Sequence, residues 1–213
     1  MSDAELSSLE PSAASDASTA HRKRPKPGER RVQILQALAT MLEQPGAERI
    51  TTAALAARLD VSEAALYRHF ASKAQMFEGL IEFIEQSVFT LVNQIGEREP
   101  AGAQQAAKTT SMLLQFAEKN PGMTRVMVGD ALVFENDRLQ QRMNQFFDKI
   151  EATLKQSLRS AADGDGSATP SLDAQVRASM LTAFAVGRLQ RFARSGFKRV
   201  PSEHLEACLA RML

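Results

Sequence analysis

Residues that commonly take part in catalysis or metal binding are few and far apart in this chain of 213 residues. Histidine occurs only at His21, His69 and His204, and Cys208 is the only cysteine. Hydrolytic and transfer chemistry needs a nucleophile, a base and an orienting group at matched spacing, and no pattern of that kind is present. The run Asp-Gly-Asp-Gly at residues 163–166 starts like a calcium loop, but it lacks a third acidic ligand and the glutamate at the twelfth position. We therefore expect no enzymatic activity, no bound metal and no cofactor.

A second group of residues is suited to contacts with nucleic acid. Small or compact residues at the start of a predicted helix let the backbone approach base edges, and the methyl group of Ala64 can contact a thymine methyl. Hydroxyl, imidazole and basic side chains nearby are suited to phosphate oxygens. The predicted contacts to bases or the adjoining backbone are Ser62, Glu63, Ala64 and Tyr67, and the predicted phosphate contacts are Arg30, Thr51, Thr52, His69 and Lys73. The alternative is that Tyr67 and Lys73 are only surface residues and that Arg30 and Arg31 only solvate the first helix.

Three short helices must position these residues. Apolar residues at three- and four-residue steps predict a first helix from residue 29 to about residue 43. Thr51 and Thr52 are typical caps of a second helix, residues 60–61 turn the chain, and a third helix is predicted over residues 62–69. This spacing is typical of a helix-turn-helix, whose second helix enters the major groove of DNA.

The net charge of +1 hides an uneven distribution of charge along the chain. Residues 1–20 carry four acidic residues and no basic ones, residues 21–77 carry ten basic and five acidic residues, and residues 78–213 carry sixteen of each. Six of the bases lie between Arg22 and Arg31. Such a cluster is either a phosphate-binding arm or a solvated linker. Taken together with the helix pattern, it favours DNA binding.

The whole chain predicts an all-α protein of about nine helices, with an N-terminal helix-turn-helix unit and a C-terminal helical bundle. Residues 1–28 are rich in Ser, Ala and Pro and predict a disordered tail with a basic arm. We assign residues 29–76 to the DNA-binding domain and residues 77–213 to a domain for dimerisation and partner binding. No run is apolar enough for a membrane span and no secretory signal begins the chain, so we expect a cytoplasmic protein.

A predicted long helix, from Leu172 to Ser195, is apolar on more than one face. One helix-turn-helix unit reads only half a site, so we predict a homodimer on palindromic DNA. A mid-helix glycine costs about 1 kcal/mol relative to alanine, which favours a packing role for the glycine in this helix. We therefore predict a dimer interface that includes Phe184, Gly187 and Phe192, and packing within one chain is the alternative.

Part of the chain resembles the DNA-binding signature of the TetR family. The matching segments are Ile50–Ala56, Val61–Phe70 and Ser72–Lys73. The resemblance implies a TetR-like fold, in which a helix-turn-helix head is joined through a fourth helix to a bundle. The family usually places glycine in the turn, where this chain has Asp60, a residue that tolerates left-handed backbone better than most.

The remainder of the chain resembles one branch of that family, the nucleoid-occlusion factors. The segments that carry this likeness are Leu80–Glu85, Asn120–Gly122, Ala131–Gln140 and Arg191–Ser195. The resemblance implies a DNA-bound, nucleoid-associated antagonist of FtsZ, the polymer of the division ring, which keeps the septum from closing over the nucleoid. The chain departs from the branch in its extension before residue 21 and in a glycine-bearing linker near residue 164.

The resemblance also implies a surface for the acidic, partly apolar tail of FtsZ. Its predicted residues are Phe83, Met112, Lys119 and Asn120. Phe83 lies so close to Ile81 and Ile84 that one of the three must leave a single buried stripe, and an exposed aromatic residue is a typical binding anchor. Core packing of Phe83 is the alternative. Leu91 and Lys119 stand at positions that we align with arginines of the branch.

A second function stays open at this point: a conventional TetR-type transcriptional repressor that responds to a small ligand in its bundle. A ligand pocket needs polar groups that converge inside an apolar cavity. The predicted central helices carry mostly aliphatic residues.

Overall fold

A computed structural model describes residues 28–44, 50–164 and 166–213, and these ranges contain helices and turns but no strand. The helices are α1 (Glu29–Leu42), α2 (Thr52–Arg58), α3 (Glu63–Tyr67), α4 (Lys73–Arg98), α5 (Gly102–Lys119), α6 (Pro121–Met127), α7 (Asp137–Gly164), α8 (Pro170–Arg194) and α9 (Leu205–Met212), with a 3₁₀ turn at Asp130–Leu132. The predicted all-α class is confirmed.

The first three helices form a small head around one apolar centre. Ile34, Leu38 and Leu42 lie on one stripe of α1 and are almost completely buried. Leu55 of α2 and Leu66 of α3 close the same centre. Because all three helices share this core, the positions of α2 and α3 are fixed relative to each other.

The turn between α2 and α3 depends on a left-handed residue. Asp60 has a φ of 54°, in the region that favours glycine. Asparagine and aspartate enter this region more readily than other residues with a Cβ. The aspartate therefore performs the task that glycine usually has in the family, as the sequence predicted.

A single long helix, α4, connects the head to the rest of the protein. The Ser72 hydroxyl accepts a hydrogen bond from the Gln75 amide at 3.2 Å, and the Gln75 side chain accepts one from the Ala71 amide at 2.8 Å. The spacing of Ser72 and Gln75 is typical of a capping box, which here closes one residue earlier than usual. The helix has 26 residues, a length of about 39 Å. It runs through the predicted domain boundary at residue 76, and division of the chain there stays a prediction.

Helices α5 to α9 form the bundle. Its two longest helices, α7 and α8, follow each other in the chain and pack against each other more extensively than any other pair of described helices. Phe146 and Leu154 of α7 and Leu181 and Leu189 of α8 are buried between them and α5. This shared apolar layer is the main core of the protein.

Two glycines allow backbones to touch. A Cβ on Gly122, in α6, would overlap the carbonyl oxygen of Ala39 in α1, and a Cβ on Gly102 would overlap that of Ser157 in α7. The first contact joins the head to the bundle directly. The head is therefore held at two points, by α4 and by the α1–α6 contact.

Two predicted helix ends were wrong. Helix α3 ends at Tyr67, two residues before the predicted end at His69. The apolar repeat from Leu139 to Leu158 predicts an end of α7 near Arg159, but the helix continues to Gly164 because Ala162 extends its buried stripe by one turn. The predicted tail and basic arm, residues 1–28, lie outside the described residues except for Gly28. In the ranges that the structure describes, no helix is long and apolar enough to cross a membrane.

Candidate nucleic-acid interface

The starts of α2 and α3 are capped by hydroxyl groups. The Thr51 hydroxyl accepts a hydrogen bond from the Ala54 amide at 3.1 Å, and the Ser62 hydroxyl accepts one from the Ala65 amide at 3.3 Å. Both capping residues are exposed, and each O–H remains able to donate to a phosphate oxygen. The sequence placed both residues correctly because a cap is a local feature.

A three-residue cluster links α2 to α3 at the surface of the head. The Thr52 hydroxyl donates to the Glu63 carboxylate at 2.5 Å and accepts from the Tyr67 hydroxyl at 3.4 Å. Tyr67 is 45% exposed, and Ala64 is exposed beside it on α3. Three predicted DNA contacts are therefore brought together, and the carboxylate among them is oriented by a hydroxyl group.

Arg31, the last base of the cluster between Arg22 and Arg31, holds the end of the helix-turn-helix to α1. Its guanidinium donates to the carbonyl oxygen of His69 at 2.5 Å and lies 4.1 Å from the ring centroid of Phe70. His69 itself is half-buried. The neighbouring predicted contact, Arg30, lies in the first turn of α1. The sequence pattern does not indicate which base of the cluster makes this contact with the helix-turn-helix.

Lys73 is engaged by an acid that lies far away in the sequence. Its Nζ is 2.5 Å from Glu135 Oε1, with side-chain exposures of 31% for the lysine and 10% for the glutamate. The same ammonium is 5.7 Å from the Phe77 ring centroid. The Lys73 ammonium is therefore already paired within the chain. A contact between Lys73 and phosphate stays a prediction, and it requires competition with Glu135.

Further ion pairs continue from this point along α4 and α7. Arg138 pairs with Glu78, and Arg142 holds the Glu85 carboxylate through Nη2 at 2.6 Å and Nε at 3.2 Å. The hydrogen bonds that Arg142 donates to the Glu85 carboxylate raise the pKa of Arg142 above its usual value, against a smaller opposing effect of burial. We call the pairs 73–135, 78–138 and 85–142 the α4–α7 ion ladder. It fixes α4 against the start of α7.

The predicted partner surface begins at Phe83. This side chain is 47% exposed, whereas Ile81 and Ile84 on either side of it are fully buried. The prediction that one of the three leaves the buried stripe is confirmed. An exposed phenylalanine on a long, rigid helix is therefore available to a partner.

The other predicted partner residues are distributed along α5. Met112 lines a cleft of about 250 Å³ with Leu91 and Ile95 of α4. Lys119 is exposed at the end of α5, and the Asn120 side chain donates to the carbonyl oxygen of Phe116 at 2.7 Å. Phe83 lies on α4, whereas Met112 and Lys119 lie on α5 and Asn120 ends it, and among the described residues no hydrogen bond, ion pair or ring contact joins Phe83 to these three.

Phe192 was wrongly predicted to lie in the dimer interface. Phe192 is only 3% exposed, and its ring packs edge-on against Phe197 of the same chain at 5.1 Å. It therefore has no surface left for a partner. Phe184 is half-buried beneath the Arg188 guanidinium, 4.9 Å from its ring centroid. A Cβ on Gly187 would have no heavy atom within 4 Å, so packing within the chain does not require this glycine.

The structure adds an exposed apolar stripe on the same helix. Leu172, Val176 and Met180 follow one another at four-residue steps on the outer face of α8, and all three are exposed. Gly187 lies on the continuation of this stripe. We call these four residues the α8 stripe.

Solved structures share this fold. A TetR-like transcriptional regulator from Rhodococcus sp. RHA1 has a TM-score of 0.69 at 18% identity, covering 88% of this chain and 97% of that one. FadR from Bacillus subtilis in complex with stearoyl-CoA has a TM-score of 0.68 at 14% identity, covering 85% and 96%. The family description "Bacterial regulatory proteins, tetR family" matches residues 34–80. Fold and head together define a TetR-type DNA-binding protein.

The bundle identifies the branch. Residues 105–212 match the description "Tetracyclin repressor-like, C-terminal domain" of the SlmA-like type. The nucleoid occlusion factor SlmA of Idiomarina loihiensis is 52% identical over 178 residues, covering 84% of this chain and 90% of that protein, and SlmA of Shewanella pealeana is 53% identical over 175 residues, covering 82% and 88%. The chain belongs to the SlmA family of nucleoid occlusion factors.

Proposed function

We propose that the chain binds palindromic double-stranded DNA as a homodimer and, in the DNA-bound form, antagonises the assembly of FtsZ at the nucleoid. The observation that carries this proposal is the position of Phe83. It is exposed on the helix whose first turn belongs to the DNA-reading head, ten residues and about 15 Å from Lys73. One rigid helix therefore connects a DNA-binding surface to a partner-binding surface.

The DNA contacts follow from the geometry of the head. Ser62, Glu63, Ala64 and Tyr67 lie at the start and along the exposed face of α3, the helix that enters the major groove in a helix-turn-helix. The phosphate contacts are Arg30, Thr51, Thr52, His69 and Lys73. Phosphate contacts position the protein without reading sequence, so their loss weakens binding to every site.

The test of DNA binding starts with a preferred duplex obtained by selection from random sequences. We expect Tyr67→Ala combined with Lys73→Ala to weaken binding and to lower the slope of log K against log salt by about one for the lost phosphate contact. Lys149→Ala, an exposed lysine on α7, is the control and leaves affinity unchanged. Wild-type affinity of the double variant at near-physiological salt would contradict the placement.

The homodimer rests on the α8 stripe. Apolar residues in a row on an outer helix face, continued by a glycine with open space around it, suit close packing against the same face of a second copy. We expect Met180→Glu to shift the dimer towards monomer in sedimentation at micromolar concentration. Leu91→Glu makes the same change on α4 and leaves the dimer intact. A wild-type monomer under these conditions would remove this part of the proposal.

The FtsZ contact rests on Phe83 as apolar anchor, Met112 as a second apolar surface, and Lys119 with Asn120 as the charged and polar rim. The experiment measures binding of an FtsZ tail peptide to the DNA-bound dimer. We expect Phe83→Ala with Lys119→Glu to weaken binding at least about tenfold, as does removal of an aromatic anchor that becomes buried in the complex. Val133→Ala with Lys149→Glu is the matched control.

Two outcomes would contradict the FtsZ contact. Equal peptide affinity for wild type and for the Phe83 and Lys119 variant would exclude this site. Absence of binding by wild type, together with intact DNA binding, would support the ligand-responsive repressor instead.

A further inference from the structure

The end of α8 and the turn after it form a strongly basic part of the bundle. Residues 174–202 contain six basic residues and no acidic one. Arg188, Arg191 and Arg199 line a cleft of about 280 Å³ together with Val200 and Glu203. Three arginines and one glutamate among the lining residues give the cleft an excess of positive charge.

Arg188 is held in place by groups that do not neutralise it. Its Nη1 donates to the carbonyl oxygen of Glu203 at 2.9 Å, and its Nη2 lies 3.4 Å from the sulfur of Cys208. The guanidinium also stacks on the Phe184 ring. These contacts fix its direction while leaving its full charge at the cleft.

A strained turn brings Arg199 to the same place. The Ser195 hydroxyl accepts hydrogen bonds from the amides of Lys198 at 3.1 Å and Arg199 at 2.9 Å. Gly196 and Phe197 inside the turn both have left-handed backbone, with φ of 63° and 64°. This conformation is rare for a bulky residue, and backbone strain of this kind concentrates at functional sites.

The Phe197 ring is anchored on both sides. It packs edge-on against Phe192 at 5.1 Å and lies 5.3 Å from the Arg125 guanidinium. The turn is therefore a built element rather than a loose connection. Its effect is to hold Arg199 near the last turns of α8.

Arg191 and Arg199 form no ion pair with another residue in the described part of the chain. Like charges that converge on one cleft repel each other, and a bound oxyanion removes that repulsion. The planar fork of arginine matches phosphate oxygens in a bidentate manner. We propose that this cleft, the arginine cleft, binds a phosphate group, supplied by a small molecule or by a nucleic-acid backbone. The inference is independent of the proposed DNA head and FtsZ surface.

The test is titration calorimetry of the full chain with inorganic pyrophosphate at constant ionic strength, kept with sodium chloride. We expect Arg191→Gln and Arg199→Gln each to raise the Kd at least about tenfold, the usual effect of losing hydrogen bonds to a charged group. Arg194→Gln is the matched control, since Arg194 is exposed in the same last turn of α8 but does not line the cleft. It tests whether these arginines only compensate the helix dipole.

Thermal unfolding without ligand checks that the variants fold, and removal of one repelling charge should leave the Tm unchanged or raise it. The salt dependence of binding to non-specific duplex DNA distinguishes the two sources of the phosphate. A salt slope lowered by about one in Arg191→Gln but not in Arg194→Gln supports a DNA phosphate, and an unchanged slope with lost pyrophosphate binding supports a small molecule.

Three results would overturn the proposal. The first is that wild type binds pyrophosphate no more tightly than it binds chloride at the same ionic strength. The second is equal binding by wild type and by both cleft variants. The third is dissociation of a wild-type dimer in the Arg191 or Arg199 variants with pyrophosphate binding unaltered, which would assign the cleft to a carboxylate of the second copy.

Discussion

At the scale of single residues, one hydroxyl group organises the DNA-reading surface. Thr52 lies between the Glu63 carboxylate and the Tyr67 phenol and makes a hydrogen bond to each. An unrestrained carboxylate at this position would repel phosphate. Oriented by Thr52, the same carboxylate is able to accept a hydrogen bond from a cytosine amino group. The cluster therefore matters more for orientation than for stability, since its members are largely exposed.

We predict that Thr52→Val, which keeps the shape and removes the hydroxyl, raises the Kd for specific DNA about fivefold, corresponding to about 1 kcal/mol for lost hydrogen bonds. The Tm should change little. Fluorescence anisotropy with labelled duplex measures the effect. Adding Glu63→Gln should recover part of the lost DNA affinity. The carboxylate that Thr52→Val frees from its hydrogen bond, and that would repel DNA phosphate, is then absent. Unchanged affinity in Thr52→Val would show that the cluster has no role in DNA binding.

At the scale of helices, the α4–α7 ion ladder connects DNA binding to the segment before α7. DNA phosphate and the Glu135 carboxylate compete for the same ammonium group of Lys73. We predict that Glu135→Gln binds DNA a few-fold more tightly than wild type, because Lys73 is then released at no electrostatic cost. Binding curves at several salt concentrations check this. Glu97→Gln, which removes an exposed charge far along α4, is the control. Weaker DNA binding by Glu135→Gln would indicate that Lys73 is a purely structural residue.

The second prediction for the ladder concerns Arg142 and Glu85. Both are partly buried, so removal of one partner leaves a poorly solvated charge. We expect Arg142→Gln to lower the free energy of unfolding by about 1–3 kcal/mol, and the double variant with Glu85→Gln to recover part of this loss. Chemical denaturation of the four proteins of the cycle gives the coupling.

The pH dependence of this pair has a definite sign. The pKa of Arg142 is raised in the folded protein. Its contribution is therefore fully present below the unfolded pKa and is lost only as pH rises through the folded pKa, in the strongly alkaline range. The difference in stability between wild type and Arg142→Gln should accordingly stay constant between neutral pH and moderately alkaline pH. A difference that disappears within that interval would contradict the assignment.

Local features of these elements were predictable from the sequence, whereas long-range pairs were not. Thr51, Ser62 and Ser72 cap helices through hydrogen bonds that span three residues, so sequence spacing suffices to locate them. Lys73 and Glu135 are 62 positions apart, and no periodicity relates them. The end of α7 was misplaced because glycine and aspartate favour a turn locally, while burial of Ala162 extends the helix.

At the scale of the whole molecule, the sequence does not show which apolar residues of α8 are buried within the chain and which lie at its surface. Phe192 and the α8 stripe are all apolar at helical spacing, so hydrophobicity alone predicts burial for each of them. Only the path of the chain after α8 shows that Phe192 is covered by Phe197. The apolar residues of the α8 stripe, by contrast, stay exposed in the single chain. A prediction from pattern alone therefore cannot separate apolar residues that pack within the chain from those that remain at its surface.

The last prediction concerns the junction that sets the direction of the head relative to the bundle. Gly122 lets α6 touch the backbone of α1 at Ala39, and any Cβ there must push the two helices apart. We predict that Gly122→Ala lowers the free energy of unfolding by about 1–3 kcal/mol, as overpacking does. It should also weaken DNA binding, because two heads must keep a fixed spacing to reach both half-sites. Gly96→Ala, in α4 and outside the α8 stripe, is the control: its Cβ would meet no atom within 4 Å, so the protein should be as stable as wild type or more so. Thermal unfolding and binding to a palindrome and to a single half-site test both variants, and Gly122→Ala should lose affinity mainly for the palindrome. Equal loss on palindrome and half-site would mean that the junction stabilises the head itself and does not set the distance between two heads.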